Sequence, residues 1–234
     1  MHEWIEWARG PAFRFAILFL ALGLVRVLAL QLFAIRGILR RAGHRNVPLR
    51  AVLRETLRWL APNPRVTPGR RGFAVISMAF HVSVIVTPVF LAGHIALWKR
   101  GLGVAWPALA EPVADWLTWI GISTALLLLL QRSFSRVARA LSRPQDYLLL
   151  ILVAVIFGSG HLIARPDRNP MSYEATLLVH VLAGNLALVL TPFSKLSHVL
   201  LFPFTQLVSQ LGWHLAPGAG ERVAASLGKE GEPI

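Results

Sequence analysis

Five apolar runs, each close to the length needed to cross a bilayer, set the limits on what this chain can fold into. They lie at about residues 12–35, 73–98, 116–130, 147–163 and 175–202. A hydrocarbon core about 30 Å thick needs roughly 20 apolar residues of helix. In hydrocarbon a backbone must satisfy its own hydrogen bonds, so runs of this length are spanning helices. The expected fold is an all-α integral membrane protein with five transmembrane helices in one domain over residues 1–234. A mean hydropathy of +0.58 with only 15% charged residues fits that class and no soluble one.

The charge follows topology rather than a nucleic-acid partner. Net charge is +13, but ten arginines fall in the segment 36–71 and four more (Arg132, Arg136, Arg139, Arg143) follow the third run. The loops after the second and fourth runs hold two basic residues each: Lys99 with Arg100, and Arg165 with Arg168. By the positive-inside rule the arginine-rich loops are cytoplasmic, which puts the N-terminus outside and the C-terminus in the cytoplasm. The basic loop 36–71 holds amphipathic helical pieces, for example around Val52 to Leu60, whose arginines lie against anionic lipid or dock a cytoplasmic partner. MHEWIEWARG carries Glu3 and Glu6 where a removable signal would be basic. Residues 205–234 thin into a polar sequence expected to be a mobile tail. Trp98, Trp106 and Trp116 stand where an interfacial aromatic belt would sit. With no cysteine, this subunit can hold neither an iron–sulfur cluster nor a disulfide nor a thioether-linked haem.

Ionisable and metal-ligating residues inside the runs carry the functional reading. His180 and His198 are 18 residues apart in HVLAGNLALVLTPFSKLSH. On one continuous helix that is about five turns, so both rings leave one face roughly 27 Å apart. Gly184 leaves room on that stripe for a flat group. The second run contains His81 and His94. It travels from the inside outward and the fifth travels back, so depth pairs His81 with His198 and His94 with His180. Each pair can clamp one haem iron from both sides, forming a six-coordinate site for electron transfer. Packing alone explains four such histidines poorly. The 13 residues from His81 to His94 are about 3.6 turns, so an ideal helix would aim them differently. Pro88, between them, supplies a kink that re-aims His94. Arg26, deep in the first run, either snorkels to the cytoplasmic face or pairs with a haem propionate. His161 is a reserve ligand, an interface residue or part of a quinone pocket.

These segments carry a resemblance. HVLAGNLALVLTPFSKLSH resembles the last helix of the gamma-subunit cytochrome b of respiratory nitrate reductase, and FHVSVIVTPVFLAGH its second helix, with the histidines about one turn further apart. Over nearly the whole chain the likeness is closer to the membrane cytochrome b of the Tmc-type menaquinone-interacting complex. RGPAFRFAILFLALGLVR, HVSVIVTPVFLAGHIALWKRGLGVAWPALAEPVADWLT, PQDYLLLILVA and TPFSKLSHVLLFPFT carry it. The resemblance implies two bis-histidine b haems, with His81 and His198 on the inner and His94 and His180 on the outer. It further implies menaquinone as substrate, a cytoplasmic heterodisulfide-reductase-like iron–sulfur subunit and a periplasmic multihaem cytochrome c. In the nitrate reductase relatives a lysine just past the outer ligand helps bind quinol; Lys99, with Arg100 behind it, is the candidate here, and an interfacial anchor is the alternative. The expected location is the bacterial inner membrane. The competing class is a haem-free membrane anchor that docks soluble redox subunits.

Overall fold

The structure is a computed structural model, described here for residues 1–42, 49–60, 71–215 and 218–230. All its regular elements among the described residues are helical: α1 (His2–Trp7), α2 (Phe13–Ala42), α3 (Leu49–Leu60), α4 (Arg71–Phe90), α5 (Ala92–Leu102), α6 (Glu111–Phe134), α7 (Arg136–Leu141), α8 (Pro144–Ala164), α9 (Tyr173–Leu190), α10 (His198–Leu215) and α11 (Ala219–Ser226). A π-helical turn over Ala8–Ala12 joins α1 to α2 around Pro11, whose ring cannot donate to the ladder. Five stretches are long and apolar enough to cross a membrane: His2–Arg40, Arg71–Phe90, Glu111–Phe134, Pro144–Ala164 and Tyr173–Phe193. The five-helix membrane class expected from the sequence is what the chain forms.

Three boundaries differ, each for a local reason. The second run divides at Leu91, which is extended (φ −73°, ψ 130°), so α4 and α5 are separate helices. The fifth ends at Leu190, because Pro192 cannot continue it; two short 3-10 turns, Thr191–Phe193 and Lys195–Ser197, lead into α10. His180 and His198 therefore do not share one continuous helix, and a spacing of five turns does not set them on a common face. From residue 205, where a mobile tail was expected, the chain is helical to Leu215 and again in α11. Of the basic loop, α3 is helical as expected around Val52; residues 43–48 and 61–70 lie outside the described residues.

Two compact units can be described, Met1–Leu20 with Thr67–Lys195, and Ala21–Val66 with Leu196–Ile234. In the first, α4 packs on α6, α6 on α8, α8 on α9, and α9 on α1 and the π turn. Small side chains let these helices approach: a Cβ on Gly121 of α6 would lie 2.5 Å from the Phe157 ring of α8. Buried Asn185 of α9 donates from Nδ2 to the Ala8 carbonyl at 2.9 Å, satisfying a π-turn oxygen. Charged clamps close both ends of the α6–α8 pair. At one end buried Asp146 accepts from the Arg143 backbone N–H at 2.9 Å and from Lys195 Nζ at 2.7 Å, with Arg132 at 3.7 Å. At the other, Arg165 pairs with Glu111 at 3.1 Å and with Asp115. In the second unit, α3 packs on α10, burying Val52 and Thr56.

Candidate haem-ligand site

The break at Leu91 aims His94. Ending a helix at Phe90 strands its last carbonyls, which in a membrane helix need other donors. Three consecutive ones find them outside α4. The Pro88 carbonyl accepts from His94 Nδ1 at 2.9 Å, that of Val89 from Trp106 Nε1 at 2.9 Å, and that of Phe90 from the Leu109 N–H at 2.9 Å. The segment after α5 thus folds back and caps α4. It starts at Gly103, whose left-handed φ of 73° favours glycine. Pro88 was expected to re-aim His94 through a kink; the structure instead ends the helix and ties the His94 ring to the Pro88 carbonyl.

His180 is held as firmly from its own side. Its Nδ1 donates to the Ile156 carbonyl of α8 at 3.0 Å, with Ser159 Oγ at 3.2 Å. Gly160 makes room for the ring: a Cβ there would lie 3.1 Å from His180 Cε1. Because a carbonyl can only accept, both His94 and His180 carry their proton on Nδ1, which leaves a lone pair on each Nε2. Locking Nδ1–H onto a backbone carbonyl is how proteins orient histidines that ligate metals.

The two rings face each other with centroids 6.0 Å apart and planes 20° apart. A metal–imidazole bond of about 2.0–2.1 Å, with the ring centre roughly 1.1 Å behind the nitrogen, places two rings on opposite sides of one ion about 6.2 Å apart. The separation of the His94 and His180 rings is of that size. α9 makes no extensive backbone contact with α4 or α5 among the described residues, and a Cβ on Gly93 or Gly184 would meet nothing within 4 Å. Among the described residues no cluster of three or more His, Cys, Asp or Glu side chains gathers as for a metal ion. A haem would need only two imidazoles from the protein, since the macrocycle would supply its other ligands.

The remaining candidates divide between the units. His81, on α4, donates from Nδ1 to the Ser77 carbonyl at 2.6 Å, the same locking device. His198 opens α10 in the other unit. The clamp of Lys195 on Asp146 fixes the turn just before it in sequence. Arg26 is exposed on α2 and makes no hydrogen bond or ion pair among the described residues. Lys99 is exposed in the last turn of α5; Arg100 beside it donates from Nε to the Ala96 carbonyl at 3.4 Å. His161 packs edge-on against Trp119 at 4.8 Å, and its Nδ1 is buried with no partner among the described residues. It lies on α8 one turn before the Arg165 clamp, apart from the His94–His180 pair in bonding. Trp106, Ser159 and Gly160 help to place the His94 and His180 rings, a part the sequence did not mark them for. Trp106 reads as belt, and nothing local in the sequence says which helix carbonyl will face His180.

Helices, burial and these ring contacts define a multi-pass all-α membrane protein. A protein of Nitratidesulfovibrio vulgaris is 32% identical over 174 residues, covering 74% of this chain and 75% of that one. The chain belongs to the same family as that protein, whose name says nothing of what it does. No protein-family model and no solved structure matches the chain.

Proposed function

We propose that this protein is the dihaem cytochrome b subunit of a respiratory redox complex in the bacterial inner membrane. It would carry electrons across that membrane between a menaquinone pool and iron–sulfur or multihaem cytochrome c partners. The observation that carries this reading is the His94–His180 pair: two rings 6.0 Å apart, each locked through Nδ1 to a carbonyl of a neighbouring helix. His94 and His180 would hold one haem b, and His81 and His198 the other. Haem supplies what the protein lacks, a one-electron carrier at each of two depths. The protein's own contribution is to fix the ligand rings, and through bis-histidine ligation to leave no open position for oxygen chemistry. The distribution of arginine supports an orientation with the N-terminus outside, which makes the His94–His180 pair the outer one. Arg26 is a candidate contact for a haem propionate. A cytoplasmic heterodisulfide-reductase-like subunit and a periplasmic multihaem cytochrome c are the partners that the Tmc-like resemblance suggests.

The reading is tested by the spectrum of the purified protein. Dithionite reduction is expected to give b-type absorption corresponding to two haems per chain. A correctly assembled protein without such absorption is a haem-free anchor for soluble subunits.

A quinone needs hydrogen-bond donors close to the outer ligand pair, and Lys99 is five residues beyond His94 in an exposed last turn. An ammonium there can donate to a quinone oxygen and stabilise charge that develops on it during reduction or oxidation. Lys99→Ala is expected to slow quinone-linked haem reduction or reoxidation by about tenfold to a thousandfold, with both haems retained. Stopped-flow spectroscopy with a menaquinol analogue measures this. Unchanged rates make Lys99 a membrane anchor and leave Arg100 and His161, whose Nδ1 has no partner among the described residues, as the donors to test.

A further inference from the structure

Helix α3 has a second face that the fold leaves uncovered. Val52 and Thr56 dock on α10 and are almost wholly buried, at 0% and 4% exposure. At 100° per residue, Leu53 and Leu57 form the adjoining row, and Arg50, Arg54 and Arg58 the row beyond it. Both leucines are more than half exposed. Together the five side chains line a shallow groove along α3. Glu55 is the one acidic residue of the helix, and it pairs with Arg54 and Arg58 through one oxygen at 3.3 and 2.8 Å. Arg50 makes no ion pair among the described residues. The row therefore keeps a net positive charge beside an uncovered apolar strip.

We propose that this face of α3 is a binding site for anionic phospholipid of the leaflet it adjoins. The leucine row would enter the acyl boundary, and Arg50, Arg54 and Arg58 would hold headgroup phosphates. Two observations select lipid over a soluble protein as the occupant. First, α3 is tied at both ends to membrane-spanning stretches, the one before it ending at Arg40 and the one after beginning at Arg71. Its tethers to those stretches keep it close to the bilayer. Second, the rows follow in the order docked face, leucines, arginines, which is the order a helix shows when it lies in an interface with its cations raised to the headgroups. Guanidinium groups match phosphate oxygens in charge and in fork geometry. The proposal is independent of the haem assignment.

The absence of cysteine from the chain gives a direct test. Leu53→Cys, Leu57→Cys and Glu55→Cys, each carrying a nitroxide, are reconstituted in nanodiscs of phosphatidylcholine with or without phosphatidylglycerol. Relaxation by oxygen and by a polar nickel chelate then reads the depth of each label. With phosphatidylglycerol present, the labels at 53 and 57 should favour oxygen and the label at 55 the chelate. Removing the anionic lipid, or introducing Arg50→Gln, Arg54→Gln and Arg58→Gln together, should raise chelate access at 57 by about threefold or more, the scale expected for losing cationic contacts with an anionic surface. Labels at 53 and 57 open to the chelate in anionic bilayers would overturn the proposal. So would protection that appears only when a soluble redox partner is added, which would make the face a protein interface. Equal depth with and without anionic lipid would also overturn it, reducing the face to plain hydrophobic insertion. Native α-helix content by circular dichroism shows that each labelled protein is folded.

Discussion

His180→Ala is expected to yield a protein that assembles in the membrane with one b haem per chain instead of two. His161 is on the next helix, but its ring lies against Trp119, whereas His180 lies against Gly160 and faces His94. His94→Ala should lose the same spectral component, because one iron between two rings needs both. His81→Ala and His198→Ala should each lose the other component. This fourfold pattern, read in reduced-minus-oxidised spectra and by redox titration of each variant, tests the pairing as well as the ligands. If His180→Ala and His94→Ala remove different components, the 6.0 Å contact between their rings is not a shared site. If neither removes a component, the dihaem reading falls. A silent spectrum in His180→Ala alone would mean that the second haem cannot be inserted without the first; holding both at sub-stoichiometric haem supply would then separate the two.

The sequence made the membrane class legible because it rests on length and hydropathy, which no tertiary contact overrides. That His94 and His180 stand against each other was also legible, since it needs only the direction of each span. The way the 13-residue spacing is absorbed was not. Proline at 88 announces a disturbance, but a kink and a full break look alike in sequence. The outcome depends on whether distant groups can satisfy the freed carbonyls, and here Trp106 and the Leu109 N–H do so from 15 or more residues away. Likewise TPFSKLSH reads as apolar enough to continue a helix, while the structure stops it at Leu190 and secures the turn through Lys195 and buried Asp146. That ion pair joins residues 49 positions apart, which no local pattern encodes. Gly184 was singled out because it shares a helix with the histidines, yet the glycine in contact with the His180 ring is Gly160, on α8.

Gly160 carries the second large expectation. A Cβ at this position would stand 3.1 Å from His180 Cε1 and 3.4 Å from Nδ1, closer than carbon normally approaches an aromatic ring. The ring cannot simply withdraw, because Nδ1 is bonded to the Ile156 carbonyl at 3.0 Å and is in contact with Ser159 Oγ at 3.2 Å, both on α8 itself. Gly160→Ala should therefore shift the ring by a few tenths of an ångström. Both haems should remain, with a changed band position or potential for the one that His180 shares with His94. Gly160→Leu leaves no such accommodation. Either the imidazole is driven off its carbonyl or α8 and α9 separate, and in both cases His180 no longer faces His94. The expected result is loss of that haem component, as complete as in His180→Ala, with the His81–His198 component kept. Overpacking of this kind costs about 1–3 kcal/mol or more, so the control must report on folding. Gly158→Ala, two residues away on the same helix, adds a Cβ that meets nothing within 4 Å and should retain both components unshifted. A Gly160→Leu protein with both components and unaltered spectra would show that His180 is not seated on α8 as described, and would leave its role to rest on the histidine substitutions alone.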